Sequence, residues 1–371
     1  SGDAVLVHLA DTLRACVRDN DFIARIGGDE FVIVVSSQPQ AELERIAQRI
    51  LSATATPASI EGESVQISVS VGVANDNKGC LSLNQMMKFA DLALYRAKHN
   101  GRGRYEQFTS SIQQEHDAQR KQRDEFRHAI ESGQFFPVYQ PQFDAETLEI
   151  IGVEALARWN HPQRGVLTPG DFLEVAIAER RLVDLDRAIL HAAMNDAKGM
   201  ASVGMCMPAL SINVSPQSLA TRDFLDVIKK MQPFPASVCF ELVETMLLDE
   251  PSGVVTENLD GLRKLGVSLD IDDFGSGHAS ILGMLEAQPD RVKIDQRLII
   301  PMLTSQKHQG LVKSIIQIAD SLGMDTVAEG VESHEHRAKL REMGCRSLQG
   351  FGFARPMPLN DLIDLLNKKA A

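Results

Sequence analysis

The chain has few cysteines, no long apolar run and no surplus of positive charge, and each shortage removes a class of protein. Its five cysteines (Cys16, Cys80, Cys206, Cys239 and Cys345) are odd in number and widely spaced, with no CxxC pair. That excludes a disulfide framework and a thiolate zinc site, and predicts reduced thiols in a cytoplasm. No stretch approaches the roughly 20 apolar residues needed to span a bilayer. The opening SGDAVLVHLADTLR also lacks the basic start and small-residue cleavage site of a secretory leader. A formal net charge of −12 argues against a surface that coats nucleic acid, which needs clustered Lys and Arg. An anionic ligand would therefore require local cations.

What is present is a globular composition, 44% hydrophobic and 24% charged, in 371 residues, too many for one ordinary core. The segment to about residue 109 mixes amphipathic stretches (DAVLVHLADTLRACV, AELERIAQRILSAT) with β-rich runs (FIARI, EFVIVV, VQISVSVGVA) and predicts an α+β domain. Residues 110–133 are polar, with a thin apolar stripe at Ile112, Phe126 and Ile130, and predict a solvated linker helix ended by Gly133.

From residue 134 to 371 the length approaches the roughly 250 residues of a (β/α)8 barrel, and the pattern fits one. FFPVYQPQFD is followed by seven apolar runs that each end on a carboxylate, an amide or a lysine: Glu154, Asn213, Glu241, Asp272 with Asp273, Lys293, Glu329 and Gln349. Between them lie amphipathic stretches such as DFLEVAIAERRLVDLDRAILHAAMNDA and HQGLVKSIIQIADSLG, and Gly266, Gly323 and Gly344 stand where left-handed C-caps are expected. In such a barrel functional groups gather at the C-terminal ends of the strands. Six oxygen donors gathered there match magnesium or manganese better than zinc or copper. Any one alone reads equally as a helix cap, but so many like charges together call for cations.

Asp272 and Asp273 are neighbours, so they reach one site only if the strand breaks; the following FGSG, with Gly275 and Gly277, supplies that break. Lys293 lies in an apolar strand and needs an anion or a water. It serves either as a partner for a carboxylate such as Asp295 or, with its pKa lowered beside metals, as a group that orients or deprotonates an attacking water. His334 and His336, two apart on a helix, are expected to face solvent.

These residues resemble the EAL family of cyclic di-GMP phosphodiesterases: EALARW from Glu154, INVSP around Asn213, ELVE from Glu241 to Glu244, DDFGSG from Asp272, KID from Lys293, EGVE from Glu329 to Glu332, and Gln349-Gly350. The resemblance covers the whole second domain in order. It implies a (β/α)8 TIM-like barrel that hydrolyses cyclic di-GMP to linear pGpG with two Mg2+ or Mn2+ ions. It makes Glu154, Asn213, Glu241, Asp272, Asp273 and Glu329 metal ligands and gives Lys293, with Glu329 and Asp272, the catalytic work. Gln140, Leu156, Arg158 and Gln349 would meet the dinucleotide or support the site, and Glu244, Asp295 and Glu332 would back the loop. A homodimer through the barrel is implied too. Where the family carries Tyr-Ser in that loop, this chain has His278 and Ala279.

In the first segment, FIARI-GGDE-FVIVV is a β-hairpin whose turn chemistry alone explains Gly27 and Gly28. With VSVGVA and ALYRAKHNGRGR it resembles the GGDEF diguanylate cyclases. By that likeness Asp29, Glu30, Lys98 and Arg102 belong to a GTP site and Arg18 with Asp21 to an RxxD inhibition site. The match begins only at the GDxxL helix, so the segment bearing the other metal-binding aspartate is missing, and this chain by itself is not expected to make cyclic di-GMP. Two rivals to hydrolysis remain: a barrel that binds cyclic di-GMP without cutting it, and a protein acting mainly as a cyclase.

Overall fold

The computed structural model describes residues 2–36, 39–76, 81–244, 253–275, 283–284 and 287–370, with the side chains of 369 and 370 left out. Cys80, Gly277, His278 and Ala279 lie outside the described residues. The chain divides into two compact units, Ser1–Gln122 and Arg123–Ala371.

In the first unit, strands β1 (Phe22–Gly27) and β2 (Glu30–Val34) form the expected antiparallel hairpin, with Gly27 opposite Glu30 and Gly28 at φ 53° in the turn. Helices Gly2–Ala15 and Gln40–Ala55 bury Leu9, Leu13, Ile46 and Ile50 together against Ile23, Phe31 and Ile33. β3 (Ala58–Ile60) pairs with β4 (Glu63–Val65), and β5 (Val71–Val73) runs parallel to β6 (Tyr105–Gln107). Of the long run VQISVSVGVA only its two ends are strand.

The second unit is a closed barrel. The order β7 (Phe135–Asp144), β8 (Ile150–His161), β10 (Ala209–Val214), β11 (Val238–Val243), β12 (Ser268–Phe274), β13 (Arg291–Ile294), β14 (Asp325–Ala328), β15 (Ser347–Leu348) returns to β7, while β9 (Gly165–Leu167) only extends β8. From β8 onward the barrel strands are parallel, but β7 is antiparallel to both β8 and β15. The reason is local: β7 and β8 are joined by residues 145–149 alone, a connection far too short for the crossover that parallel neighbours need. The barrel is therefore TIM-like with its first strand reversed.

The long amphipathic stretch after β9 folds as two helices, Pro169–Ala178 and Leu182–Ser202, interrupted where Arg180 adopts φ 56°. Gly266, Gly323 and Gly344 take φ values of 76°, 74° and 92°, the left-handed caps expected of them. His336 departs from expectation: it is buried, and its ring nitrogens meet Ser333 Oγ and the Ile300 carbonyl, because Ser333 caps this helix and turns its first residues inward. His334 is exposed.

The outer face of β8 is fixed by an aromatic cluster. Trp159 is fully buried, with ring centroids 5.9 Å from Phe126, 5.5 Å from Phe135 and 6.3 Å from Phe172. Phe126 and Ala129, at the end of helix Ser110–Glu131, belong to this core, so here the apolar stripe faces protein. Since strand side chains alternate, anchoring Trp159 outward sends Glu154, Leu156 and Arg158 to the inner face. Phe126→Ala is expected to cost the barrel about 3–5 kcal/mol, measured by urea unfolding; a loss under about 1 kcal/mol would show that the cluster is not what holds this strand.

Candidate functional site

The strand ends bring together residues far apart in sequence. Lys293 Nζ lies 2.8 Å from Glu241 Oε2, 2.8 Å from Asp272 Oδ1, 2.8 Å from Glu329 Oε1 and 3.3 Å from Glu154 Oε2. Asn213 donates to Glu154 Oε1 at 2.8 Å, and Gln349 Nε2 donates to Glu154 Oε2 at 2.5 Å and to Gln140 Oε1 at 3.1 Å. Glu154, Glu241 and Lys293 are buried, whereas Asn213 and Asp273 are exposed at the mouth.

The two adjacent aspartates share the site by a route the sequence does not announce. Asp273 itself adopts the left-handed conformation, φ 53°, and the pairing of β12 with β13 slips between Ile271 and Phe274. The bulge turns a neighbour that a regular strand would send outward. Gly275 follows at φ 94°. As a result one carboxylate oxygen from each of Asp272, Asp273 and Glu329 lies within 4.8 Å of the others.

Five carboxylates around one ammonium are not neutral, and the group answers by holding protons. Burial and the neighbouring Glu154 push Glu241 well above the usual carboxylate range. Glu154, although buried, is held below that range by Lys293, Gln349 and Asn213. Burial raises Glu329 to about 7, against the pull of Lys293. Asp273 is raised by burial and by the charges of Asp272 and Asp295. Burial opposes the charge on Lys293, but Glu154, Glu241, Glu329 and Asp272 outweigh it and lift its pKa well above normal. In the metal-free cluster these carboxylates favour the ammonium form of Lys293; the lowering expected of Lys293 belongs to a site that holds cations.

The donor set suits hard divalent cations, being carboxylate and amide oxygen throughout. Glu241 Oε1 is buried with no hydrogen-bond partner, and Asp272 Oδ1, though close to the ammonium, lies off the direction for a hydrogen bond. Such orphaned oxygens are costly unless something else binds them.

The remaining expected residues divide. Gln140 donates to the Ala354 carbonyl at 3.2 Å, and Arg158, partly buried beside Glu154, donates to the Ala157 carbonyl at 2.8 Å. Leu156 is half-buried on the same inner face, and Glu244 is buried at the end of β11. Asp295 is not a partner of Lys293. It caps helix Gln296–Ile299 by accepting from the Arg297 backbone at 2.7 Å and pairs with the Arg297 guanidinium. Glu332 is exposed, outside the carboxylate cluster.

In the first unit Asp29 and Glu30 are exposed at the hairpin turn, with Lys98 4.0 Å from Glu30, and Arg102 is exposed at φ 57°. Arg18 and Asp21 form no side-chain ion pair. The buried Asp21 carboxylate accepts from the Arg18 backbone at 2.9 Å, and the Arg18 guanidinium reaches Glu42 at 3.4 Å.

Sequence reasoning missed Gln142, Asp270 and Arg291, which lie inside the barrel beneath these groups. A signal existed: Asp270 and Arg291 stand two residues before Asp272 and Lys293, on the same strand face. Asp186 was missed as well; it accepts from Ser215 Oγ at 2.5 Å and Ser218 Oγ at 2.6 Å and so fixes the turn after Asn213.

Comparison with known proteins agrees with this geometry. The EAL domain family model matches residues 123–356 and the diguanylate cyclase GGDEF domain model matches residues 1–104. The chain belongs to the EAL domain family, in tandem with a GGDEF domain. It is 33% identical over 367 residues to the bifunctional diguanylate cyclase/cyclic di-GMP phosphodiesterase MucR of Pseudomonas aeruginosa, covering 98% of this chain and 53% of MucR. It is 31% identical over 373 residues to the cyclic di-GMP phosphodiesterase NbdA of the same species, covering 99% and 47%. The chain spans about half the length of these curated relatives. A solved MucR phosphodiesterase structure in complex with c-di-GMP superposes with a TM-score of 0.60 at 30% identity, covering 65% of this chain and 99% of that one.

Glu329 gives the site a testable pH signature. Its folded pKa, about 7, exceeds the ordinary value of 4.5, so as pH rises from 4.5 to 7 the unfolded chain releases a proton that the folded one retains, and stability falls. Glu329→Gln is therefore expected to raise the metal-free melting temperature at pH 8, by about 2–4 °C for each kcal/mol relieved, with the gain shrinking toward pH 5. A gain that grew on acidification would contradict the assignment.

Proposed function

We propose that the barrel hydrolyses cyclic di-GMP to linear pGpG with two divalent cations, Mg2+ or Mn2+. The observation that carries this reading is the meeting of Glu154, Glu241, Asp272 and Glu329 around Lys293, with oxygens of Asp272, Asp273 and Glu329 close enough to share a cation. The functions of MucR and NbdA, and the ligand in the MucR structure, support the choice of substrate.

Glu154, Asn213, Glu241, Asp272, Asp273 and Glu329 would hold the cations. When bound, these would neutralise charge on the phosphoryl oxygens and make water a stronger nucleophile. The chain's own groups orient the rest. Lys293 holds the attacking water with a lone pair aimed at phosphorus. Arg158 pairs with a phosphate, Gln140 and Leu156 line the dinucleotide, and Gln349 keeps Glu154 in place. The water oxygen bonds to phosphorus as the bond to the ribose 3′-oxygen breaks, and the proton the water loses ends on that leaving oxygen.

The unpaired buried thiols of Cys16, Cys239 and Cys345 support a reducing, cytoplasmic setting, and among the described residues no helix is long and apolar enough to cross a membrane. Self-association through the barrel and GTP binding at Asp29, Glu30, Lys98 and Arg102 belong to the same proposal; sedimentation with and without nucleotide tests them.

Incubated with cyclic di-GMP, the chain is expected to release pGpG with Mg2+ or Mn2+ and none with EDTA. Lys293→Ala should lower turnover by about 10²–10⁴-fold. Tight binding of cyclic di-GMP without cleavage in either metal would make the barrel a receptor instead.

A further inference from the structure

Beneath the carboxylates lies a second polar layer. Strand side chains return to one face every second residue, so the positions two before Asn213, Glu241, Asp272 and Lys293 also point into the barrel. On the reversed β7 the equivalent lies two after Gln140. These positions hold Ser211, Cys239, Asp270, Arg291 and Gln142, and Ser211, Asp270 and Gln142 have no solvent exposure. Two before Glu154 stands Gly152, where an added Cβ would come within 2.9 Å of Gln142 Oε1. Glycine there leaves room for the amide.

The hydrogen bonds in this layer have a direction. Arg291 pairs with Asp270 at 2.6 Å, donates to Ser211 Oγ at 3.2 Å, and donates from Nη1 to Gln142 Oε1 at 3.2 Å. A guanidinium has only donors, so the Gln142 atom facing it is the carbonyl oxygen. The Gln142 NH2 then meets Gln349 Oε1 at 3.0 Å, which leaves the Gln349 NH2 for Glu154 and Gln140.

We propose that Arg291, acting through Gln142, sets the amide orientation of Gln349 so that it always presents N–H to Glu154 and aims that carboxylate at the cation position. Arg291 and Gln142 are positioning residues; neither touches the reacting atoms. Asp270 holds the guanidinium in place. A reversed Gln349 amide would set its oxygen against the Glu154 carboxylate. The inference rests on the cation-dependent reading above and assigns this layer the task of orienting one ligand.

Gln142→Glu separates orientation from packing. It is nearly isosteric and still accepts from Arg291, but an ionised carboxylate has no proton for Gln349, whose amide must then turn over. Gln142→Met removes the bond without imposing reversal. Calorimetric titration of Mn2+ into the chain, without nucleotide, is expected to show binding weakened about 10- to 100-fold in Gln142→Glu and by a smaller factor in Gln142→Met. Gln142→Glu/Gln349→Leu should bind no worse than Gln349→Leu alone. Mn2+ binding in Gln142→Glu equal to or tighter than in Gln142→Met overturns the proposal. If Gln142→Glu does not fold, Gln142→Met decides, and unchanged Mn2+ affinity overturns it. A wild-type chain that binds no Mn2+ overturns the parent reading, and this one with it.

Discussion

One ammonium holds the barrel interior together. Lys293 reaches four carboxylates from four strands, and without it those groups would repel one another in a setting with little solvent to screen them. The balance is incomplete, and burial, reinforced by the neighbouring carboxylates, lifts Glu241 and Glu329 above the usual carboxylate range. A chain assembled to bind nothing would have little reason to bury such an excess, since packed apolar residues of the same volume are commonly at least as stable. The stored repulsion is a standing demand for positive charge at the mouth.

The rest of the barrel meets that demand by geometry. The Trp159 cluster fixes β8 from outside, so that alternation delivers Glu154 inward. The bulge at Asp273 recruits a second aspartate from one strand. Asp186 secures the turn beyond Asn213, and the Arg291–Asp270 pair neutralises itself one layer down, adding hydrogen-bond direction without adding net charge. Each device works on a single side chain, yet together they bring the carboxylates to one end of the barrel.

Much of this was legible in the chain. Runs ending on Glu154, Asn213, Glu241, Asp272, Lys293, Glu329 and Gln349 announce a barrel mouth because strand period and strand end are both written in hydrophobicity. The reversal of β7 was not, since an apolar strand carries no sign of its direction; only the brevity of residues 145–149 betrays it. Nor was the conformation of Asp273, because a left-handed non-glycine residue is imposed by its surroundings. Asp295, expected to back the loop, caps a helix while its charge still reaches Asp273, and His336 looked solvent-facing and is buried. Asp295 is claimed by Arg297 two residues on, whereas His336 meets the Ile300 carbonyl 36 residues away, a contact that local spacing does not encode.

The direction of β7 has a consequence for traffic along the backbone. In an ordinary barrel the polypeptide enters through the floor and the reactive rim is reached only through loops. Here Phe136 stands opposite Arg158 and Asp144 opposite Ser347, so the incoming chain arrives at the rim and descends. Residues just upstream of Phe135 are thus covalently moored beside the strand that supplies Glu154 and Arg158. The chain's point of entry and the carboxylate mouth therefore share one end of the barrel.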